Sequence, residues 1–208
     1  MEDVLDVYLR PENESKPLVC LDEASKQLIS ETRSSLPCKS GNVRKVDAEY
    51  RRNGTASIFM MNVPLKGKRY VRVCEQRKRE DFAEVVRELC DKIYPEAEKI
   101  VLVMDNLNTH NTASLYQAFK PEEAKRLADK LEIHYTPKHG SWLNMAEIEL
   151  HVLNSQCLSR HIASMDEVKK QVCAWQKKRN NKNVKINRQF TNAQARIKLK
   201  RLYPSVLN

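Results

Sequence analysis

Residues 99–105 read KIVLVMD, and this stretch decides the fold class. Its five consecutive apolar residues, 100–104, are typical of a strand that is buried on both faces of a sheet. Asp105 then places a carboxylate where the strand leaves the core. Residues 18–22, LVCLD, repeat the arrangement, because a short apolar run predicts a buried strand and ends on Asp22.

The segments around these strands alternate between strand and helix patterns. The stretches 54–65 and 69–77 are β-prone and flank Gly67, which predicts an antiparallel hairpin, and residues 131–136 predict a further strand. We interpret residues 1–16 as a polar leader and residues 25–53 as a long irregular connection. This order favours an α/β fold with a mixed sheet and helices on both faces. Apolar residues at helical spacing predict helices at 81–93, 111–119, 121–130, 143–159 and 165–178.

The charge of the chain is concentrated towards its C-terminal end. The 208 residues carry 37 Lys and Arg against 27 Asp and Glu, a formal net charge of +10. Residues 168–208 contain 12 of the basic residues and no acidic residue, so residues 1–167 are close to neutral. A polyanionic partner, and nucleic acid before others, is the natural interpretation. A solvated basic tail is the alternative.

Length and composition exclude several classes of protein. The chain is long enough for one domain with an appendage and for a core that needs no disulfide or structural metal. No apolar run approaches the ~20 residues of a membrane helix, and the first 25 residues lack the apolar segment of an export signal. We therefore expect a cytoplasmic protein with no membrane partner. The closest cysteines are 16 residues apart, which argues against a zinc site and favours reduced thiols.

Three carboxylates stand out by position. Asp22 and Asp105 follow strands, and Glu147 lies early in the helix after the last strand. In sheets with crossover helices, functional sites gather at the carboxyl ends of strands. Carboxylates there can hold Mg²⁺, and two such ions roughly 3.5–4 Å apart can serve phosphodiester chemistry. Taken singly, each residue has an ordinary alternative, since an Asp after a strand commonly forms a cap or turn and a Glu on a helix is commonly solvated.

Three blocks of sequence also carry a family resemblance. They are LVCLDE around Asp22, VLVMDNLNTH around Asp105 and YTPKHGSWLNMAEIEL around Glu147. In order and separation these blocks resemble the signature blocks of DDE transposases of the mariner-like superfamily, specifically the bacterial insertion sequence 630 group. The tail FTNAQARIKLKRLYP resembles the C-terminal end of those proteins, so the resemblance spans essentially the whole chain.

The resemblance implies an RNase H-like fold with a central five-stranded mixed sheet. It implies metal-dependent DNA strand cleavage and strand transfer during DNA transposition, with Mg²⁺ or Mn²⁺ as cofactor and two ions during catalysis. Carried over, the catalytic and metal-binding triad is Asp22, Asp105 and Glu147. Glu149 is the alternative third ligand, but positions two apart on a helix do not share a face. Glu23 is expected to point away from its neighbour Asp22 if the strand continues.

Further residues in the blocks are candidates for active-site support. Asn106 and His110 belong to the second block, where His110 would contact the scissile phosphate or orient a metal-bound water, or else cap the next helix. His139 lies in the loop of the third block, and Asn144 is expected to stabilise the helix start through its side chain. Trp142 would stack on an unpaired base or, as we expect, close the core.

The charge and the resemblance together imply DNA as the partner. The expected ligands are transposon ends and a TA-containing target, bound by a homodimer that is associated with the nucleoid. We divide the chain into an RNase H-like catalytic domain, 1–165, and a basic C-terminal helical extension, 166–208. The residues expected to contact DNA are Lys177, Lys178, Arg179, Lys182, Lys185, Arg188, Arg196, Lys198, Lys200 and Arg201.

Two features depart from the family pattern. Relatives carry an N-terminal helix-turn-helix region, and only 21 residues precede Asp22, so we expect end recognition to need a separate helix-turn-helix domain or a second frame product. Arg188 stands where we expect an aromatic residue, and it would either weaken docking of the tail or add a phosphate contact. Two other functions stay open: a catalytically inactive DNA-binding or dimerisation module derived from a transposase, and a host RNase H-like nuclease.

Overall fold

The structure, a computed structural model, describes residues 1–33, 36–43, 49–138 and 140–203. Within these ranges one sheet contains β1 (Leu18–Glu31), β2 (Tyr50–Val63), β3 (Lys68–Cys74), β4 (Ile100–Met104) and β5 (Leu131–Tyr135). The α-helices are α1 (Glu2–Tyr8), α2 (Arg79–Glu88), α3 (Ala113–Ala118), α4 (Pro121–Asp129), α5 (Met145–Leu153), α6 (Met165–Asn181) and α7 (Asn192–Lys198). π-Helical turns follow α2 at Leu89–Ile93 and α5 at Asn154–Leu158, and short 3-10 turns cover Ser141–Leu143 and Lys200–Leu202.

The strand order β3-β2-β1-β4-β5 confirms the five-stranded mixed sheet. The first three strands form an antiparallel meander, whereas β4 pairs parallel with both β1 and β5. The hairpin predicted around Gly67 joins β2 to β3. Gly67 has φ +63°, and a Cβ there would lie 2.7 Å from the backbone of Asn183, so both the turn and the close approach of the chain after α6 favour glycine.

Two cores sandwich the sheet, and adjacent strand residues alternate between them. On one face, Cys20 and Val103 pack in a cluster with residues of α1, α5, α6 and α7. On the other face, Leu21 and Leu102 pack with residues of α2, α3 and α4. All residues of β4 are at most 3% exposed, which confirms the strand buried on both faces that the apolar run predicts.

Two interpretations of polar sequence are wrong. Residues 1–16 are not only a polar leader, because α1 buries Val4, Leu5, Val7 and Tyr8 against the sheet. Residues 25–53 are not wholly irregular, because β1 runs on to Glu31 and β2 begins at Tyr50, where the two strands pair beyond the rest of the sheet. Residues 34, 35 and 44–48 of that predicted connection lie outside the described residues.

The helices follow the predicted periodicity, with shifted ends. α5 begins at Met145 rather than 143 and passes into the π-helical turn at Asn154, and α6 continues to Asn181 rather than 178. No helix in the described part of the chain has the length and apolar character that a membrane span requires. All six cysteines lie in the described ranges and are free thiols.

Candidate active site

The register of β1 and β4 brings Asp22 and Asp105 side by side. The strands are parallel, with Cys20 opposite Val103. Two residues further along each strand are Asp22 and Asp105, so the same register places them as neighbours at the carboxyl edge, about 5 Å apart between backbones. Because side chains alternate with a period of two, both carboxylates lie on the face of Cys20 and Val103, which is the face that α5 covers.

Helix α5 brings Glu147 to this edge because its N-terminus is fastened to β1. The side chain of Asn144 accepts a hydrogen bond from the N–H of Ala146 at 3.1 Å and donates one to the carbonyl of Leu21 at 2.7 Å. The expected helix-start role of Asn144 is therefore confirmed, and the same residue ties the helix to the residue before Asp22. Glu147 lies in the first turn of α5 and is exposed.

A second support for this helix start comes from α1, which the sequence interpretation missed. The hydroxyl of Tyr8 donates to the carbonyl of Leu143 at 2.8 Å and accepts from the N–H of Met145 at 3.4 Å. Tyr8 is 6% exposed. The spacing of Val4, Leu5 and Tyr8 is helical, so the signal was present among the acidic residues of the N-terminal segment.

The electrostatics show that the three carboxylates interact. Burial, together with the charges of Asp105 and Glu147, raises the pKa of Asp22 to about 6 against the hydrogen bond that Asp22 accepts from the N–H of Glu23. The side chain of Asp105 is 29% exposed. Three acids on separate elements therefore lie near enough for their charges to interact at a solvent-accessible edge. In the described ranges, no group of three or more His, Cys, Asp or Glu side chains is arranged so that it could hold a metal ion.

His110 is buried behind the site and holds Asp105. Its Nδ1 lies 2.5 Å from Oδ1 of Asp105, and its Nε2 lies 3.4 Å from Oε2 of Glu23, an ion-pair distance without an aligned hydrogen bond. Burial would lower the pKa of His110, but the hydrogen bond with Asp105 and the contact with Glu23 raise it to about 9. Its ring centroid lies 5.0 Å from that of Phe82. With 0% exposure, His110 positions Asp105 in this structure and does not cap α3 through its side chain.

Glu23 and Glu149, the two acids adjacent to the triad, both face away from it. Glu23 contacts His110 on the opposite face of β1, as expected for the next strand residue. Glu149 is 0% exposed and accepts hydrogen bonds from Arg69 at 2.8 Å and from Arg179 at 2.9 and 3.2 Å. Burial opposes ionisation of Glu149, but the two guanidinium groups hold its pKa below the usual value. Because Glu149 is buried and paired with two arginines, Glu147 is favoured as the third acid.

The loop before α5 differs from expectation. Trp142 is 40% exposed, so the expectation that it closes the core is wrong. Arg188 fastens the tail to this loop: it donates to the carbonyls of Trp142 at 3.0 Å and Leu143 at 3.1 Å, and its guanidinium lies 5.2 Å from the Trp142 ring. Arg188 thus docks the tail rather than weakening its docking. Asn106 is exposed and has no hydrogen bond to a described residue, and His139 lies outside the described residues.

The residues expected to contact DNA fall into two groups. Arg179 and Arg188 are partly buried in the contacts described above, and Arg196 is exposed but forms a bidentate pair with Glu2 at 2.7 and 2.8 Å. The other group is exposed and forms no ion pair with a described carboxylate. It consists of Lys177, Lys178, Lys182, Lys185, Lys198, Lys200 and Arg201.

Comparisons with known proteins identify the family and agree with the fold. The family model described as DDE superfamily endonuclease matches residues 17–169, which contain all three acids. No curated protein matches the sequence at a significant level. Among solved structures, the Mos1 mariner paired end complex with Mn is similar with a TM-score of 0.57 at 15% identity, over 88% of this chain and 56% of that one.

Two further Mos1 structures have the same fold. The Mos1 strand transfer complex has a TM-score of 0.56 at 13% identity, and the pre-cleavage Mos1 transpososome has 0.52 at 15%. Each match covers 88% of this chain, while this chain spans 58% and 59% of the respective Mos1 chains. The shared fold is the RNase H-like fold expected from the sequence. Since the family model covers well over half of its residues, the chain belongs to the DDE superfamily endonuclease family.

Proposed function

We propose that the chain is the catalytic domain of a transposase that cleaves a DNA strand and transfers the freed 3′ end to target DNA. The observation that supports this proposal is that Asp22 and Asp105 follow paired parallel strands, β1 and β4, and that the charges of Asp105 and of Glu147 in the first turn of α5 act on Asp22. An exposed edge suits a substrate as large as duplex DNA. The similarity to Mos1 complexes, whose names include strand transfer and paired ends, supports the choice of transposition within the family.

The donor set fits Mg²⁺ or Mn²⁺. All three side chains offer carboxylate oxygens, the hard ligands that these cations prefer. Oδ1 of Asp105 is held by His110, while its Oδ2 and the carboxylate of Glu147 receive no hydrogen bond from a described residue. Burial and the charges of Asp105 and Glu147 raise the pKa of Asp22, and a cation between the acids would relieve the repulsion among them. When bound, one or two divalent ions would supply activation of the attacking oxygen and neutralisation of the phosphate charge.

The protein's own side chains would then hold the acids in position for the two chemical steps. In the cleavage step a water oxygen forms a bond to phosphorus while the bond from phosphorus to the 3′ oxygen breaks, leaving a 3′-hydroxyl. In the transfer step that hydroxyl attacks a target phosphorus and displaces the 3′ oxygen of the target strand. His110 fixes the orientation of Asp105, and Asn144 and Tyr8 fix the start of α5 and so the place of Glu147. Asn106 and His139 are proposed to border the same edge.

The finer assignments extend this proposal. We place the chain in the bacterial insertion sequence 630 group, with transposon ends and TA-containing targets as its DNA, a homodimer as its active form and the nucleoid as its location. End recognition by a helix-turn-helix domain, on the same or a separate polypeptide, would complete the activity. Residues 1–165 would form the catalytic domain and 166–208 an extension that contacts DNA.

Plasmid nicking tests the proposal. The wild type should nick supercoiled plasmid with Mn²⁺ or Mg²⁺, and Asp105→Asn should abolish nicking while leaving the fold intact. Asp129→Asn is the matched control, because Asp129 is an exposed aspartate at the end of α4 and should be neutral. Equal nicking by wild type and Asp105→Asn would remove the triad assignment. A precut 3′ end separates transposition from simple nuclease action, since only a transposase would join it to a target.

A further inference from the structure

A basic groove lies between the π-helical turn Asn154–Leu158 and the second half of α6. Its volume is about 630 Å³, and it is wide open to solvent. Four cationic side chains line it, from Arg160, Lys178, Arg179 and Lys182, and no carboxylate of a described residue does. The groove is separate from the three acids at the edge of the sheet, and sequence analysis did not single out Arg160.

Three of the four cations that line this groove form no ion pair with a described acid. Arg160, Lys178 and Lys182 form no ion pair with any carboxylate in the described ranges, whereas elsewhere on the surface Arg126 pairs with Asp91 at 2.7 Å. Lysines near a helix C-terminus complement its dipole, but Arg160 does not belong to the helix. Its backbone carbonyl accepts a hydrogen bond from Lys26 at 2.9 Å, which holds the segment after the π-helical turn beside β1.

The buried network beside the groove adds to its positive potential. Arg179 lines the groove and also contacts Glu149, which is shared with the fully buried Arg69. Two guanidinium groups against one carboxylate leave one uncompensated positive charge. Because field lines from a buried charge are weakly screened by the protein, this charge attracts anions at the adjacent surface.

We propose that this groove binds the phosphate backbone of duplex DNA beside the catalytic edge. The inference rests on the proposed function for its choice of polyanion. Gln156, which lines the groove, lies nine residues after Glu147 along the helix and its π-helical continuation, or about 14 Å at ~1.5 Å per residue. For a duplex that runs parallel to α5, with ~3.4 Å per base pair, that separation corresponds to about four base pairs from the scissile phosphate.

Equilibrium binding of a fluorescent 30-base-pair duplex tests this inference. Binding is measured by anisotropy over a range of NaCl concentrations with EDTA present, so that no cleavage occurs. The double variant Lys178→Gln with Lys182→Gln should reduce the slope of log affinity against log salt by about 2. Each phosphate contact contributes ~0.9 to the slope of log affinity against log salt. If the affinities of wild type and variant converge near 1 M salt, the loss of two contacts should therefore make the variant bind about 60-fold more weakly at 0.1 M.

The matched control is Lys169→Gln with Lys170→Gln. These two lysines are exposed on the same helix, do not line the groove, and change the net charge equally. If both pairs of substitutions reduced the DNA affinity equally, only the total charge would matter and the proposed role of the groove would be refuted. An unchanged salt slope for Lys178→Gln with Lys182→Gln would also overturn it. Arg160→Gln gives a third measurement away from α6, and it should reduce the slope by about 1.

The proposed function and the groove fail separately. If nicking did not depend on Asp105 but the two pairs of lysine substitutions still differed in their effect on DNA binding, the nuclease function would be refuted and the DNA-binding groove retained. Nicking that depends on Asp105, with no difference between the two pairs, would retain the nuclease and refute the groove.

Discussion

Replacing Glu149 should destabilise the protein strongly without acting through metal binding. The carboxylate is fully buried and receives three hydrogen bonds from Arg69 and Arg179. Glu149→Gln keeps the volume but removes the charge, and it leaves two guanidinium groups against a neutral amide. Breaking a buried ion pair by removing one partner costs about 3–5 kcal/mol.

That cost translates into a large change in melting temperature. For a chain of about 200 residues, 1 kcal/mol shifts Tm by roughly 2–4 °C, so Glu149→Gln should lower Tm by about 6–20 °C. Circular dichroism on heating and urea unfolding measure this loss. The matched control is Glu147→Gln, because Glu147 is exposed two residues earlier on the same helix and should shift Tm by no more than a few degrees.

Activity separates the two glutamates in the opposite way. Below its own melting temperature, Glu149→Gln should retain nicking and a normal Mn²⁺ requirement, whereas Glu147→Gln should lose nicking. A stable Glu149→Gln protein with wild-type Tm and no nicking would refute the reasoning, since it would make Glu149 the ligand and the arginine pair incidental.

Three further predictions concern single residues. His110→Gln should fold but require about 10–100-fold more Mn²⁺ for nicking, because the group that orients Asp105 is lost; an unchanged Mn²⁺ titration would contradict this role. Asn144→Ala should cost about 1–2 kcal/mol in urea unfolding through loss of the helix cap, and equal unfolding midpoints would exclude it. Burial raises the pKa of the Cys90 thiol to about 11, so at pH 8 a thiol reagent should label exposed Cys173 at once and Cys90 only on unfolding; equal rates would show that Cys90 is accessible.

The sequence predicted the parts of the fold whose burial leaves a simple pattern. Strand β4 is apolar throughout because both of its faces are covered, and helix α6 shows apolar residues at 3.6-residue spacing. The outer parts of β1 and β2 escaped prediction because they pair with each other and are largely exposed from Tyr50 to Thr55, so no apolar alternation marks them. Helix α1 was missed because acidic residues separate its buried ones.

The candidate site was predictable in its acids and in the helix-start role of Asn144, but not in its other supports. Asp22 and Asp105 end apolar runs, which is a signal in the sequence itself. The contact of His110 with Asp105 and Glu23 depends on the path of the chain after β4, and Tyr8 reaches Leu143 across 135 residues of sequence. Such supports arise from tertiary packing between residues far apart in the chain, and these contacts leave no regular spacing in a single sequence.

The arrangement of charge explains how an acidic site can act on a polyanion. Three carboxylates at the edge would repel DNA, and burial together with the charges of Asp105 and Glu147 raises the pKa of Asp22. The basic residues of the C-terminal segment offset this where they form no ion pair with a described carboxylate, as with Lys178 and Lys182, while Arg179 and Arg188 also hold the fold together. A positively charged groove about 14 Å from Glu147 would therefore hold the duplex while a divalent cation neutralises the acids at the cleavage point. On this reasoning, DNA affinity without metal should depend on the groove, and metal should add affinity only when Asp105 is intact.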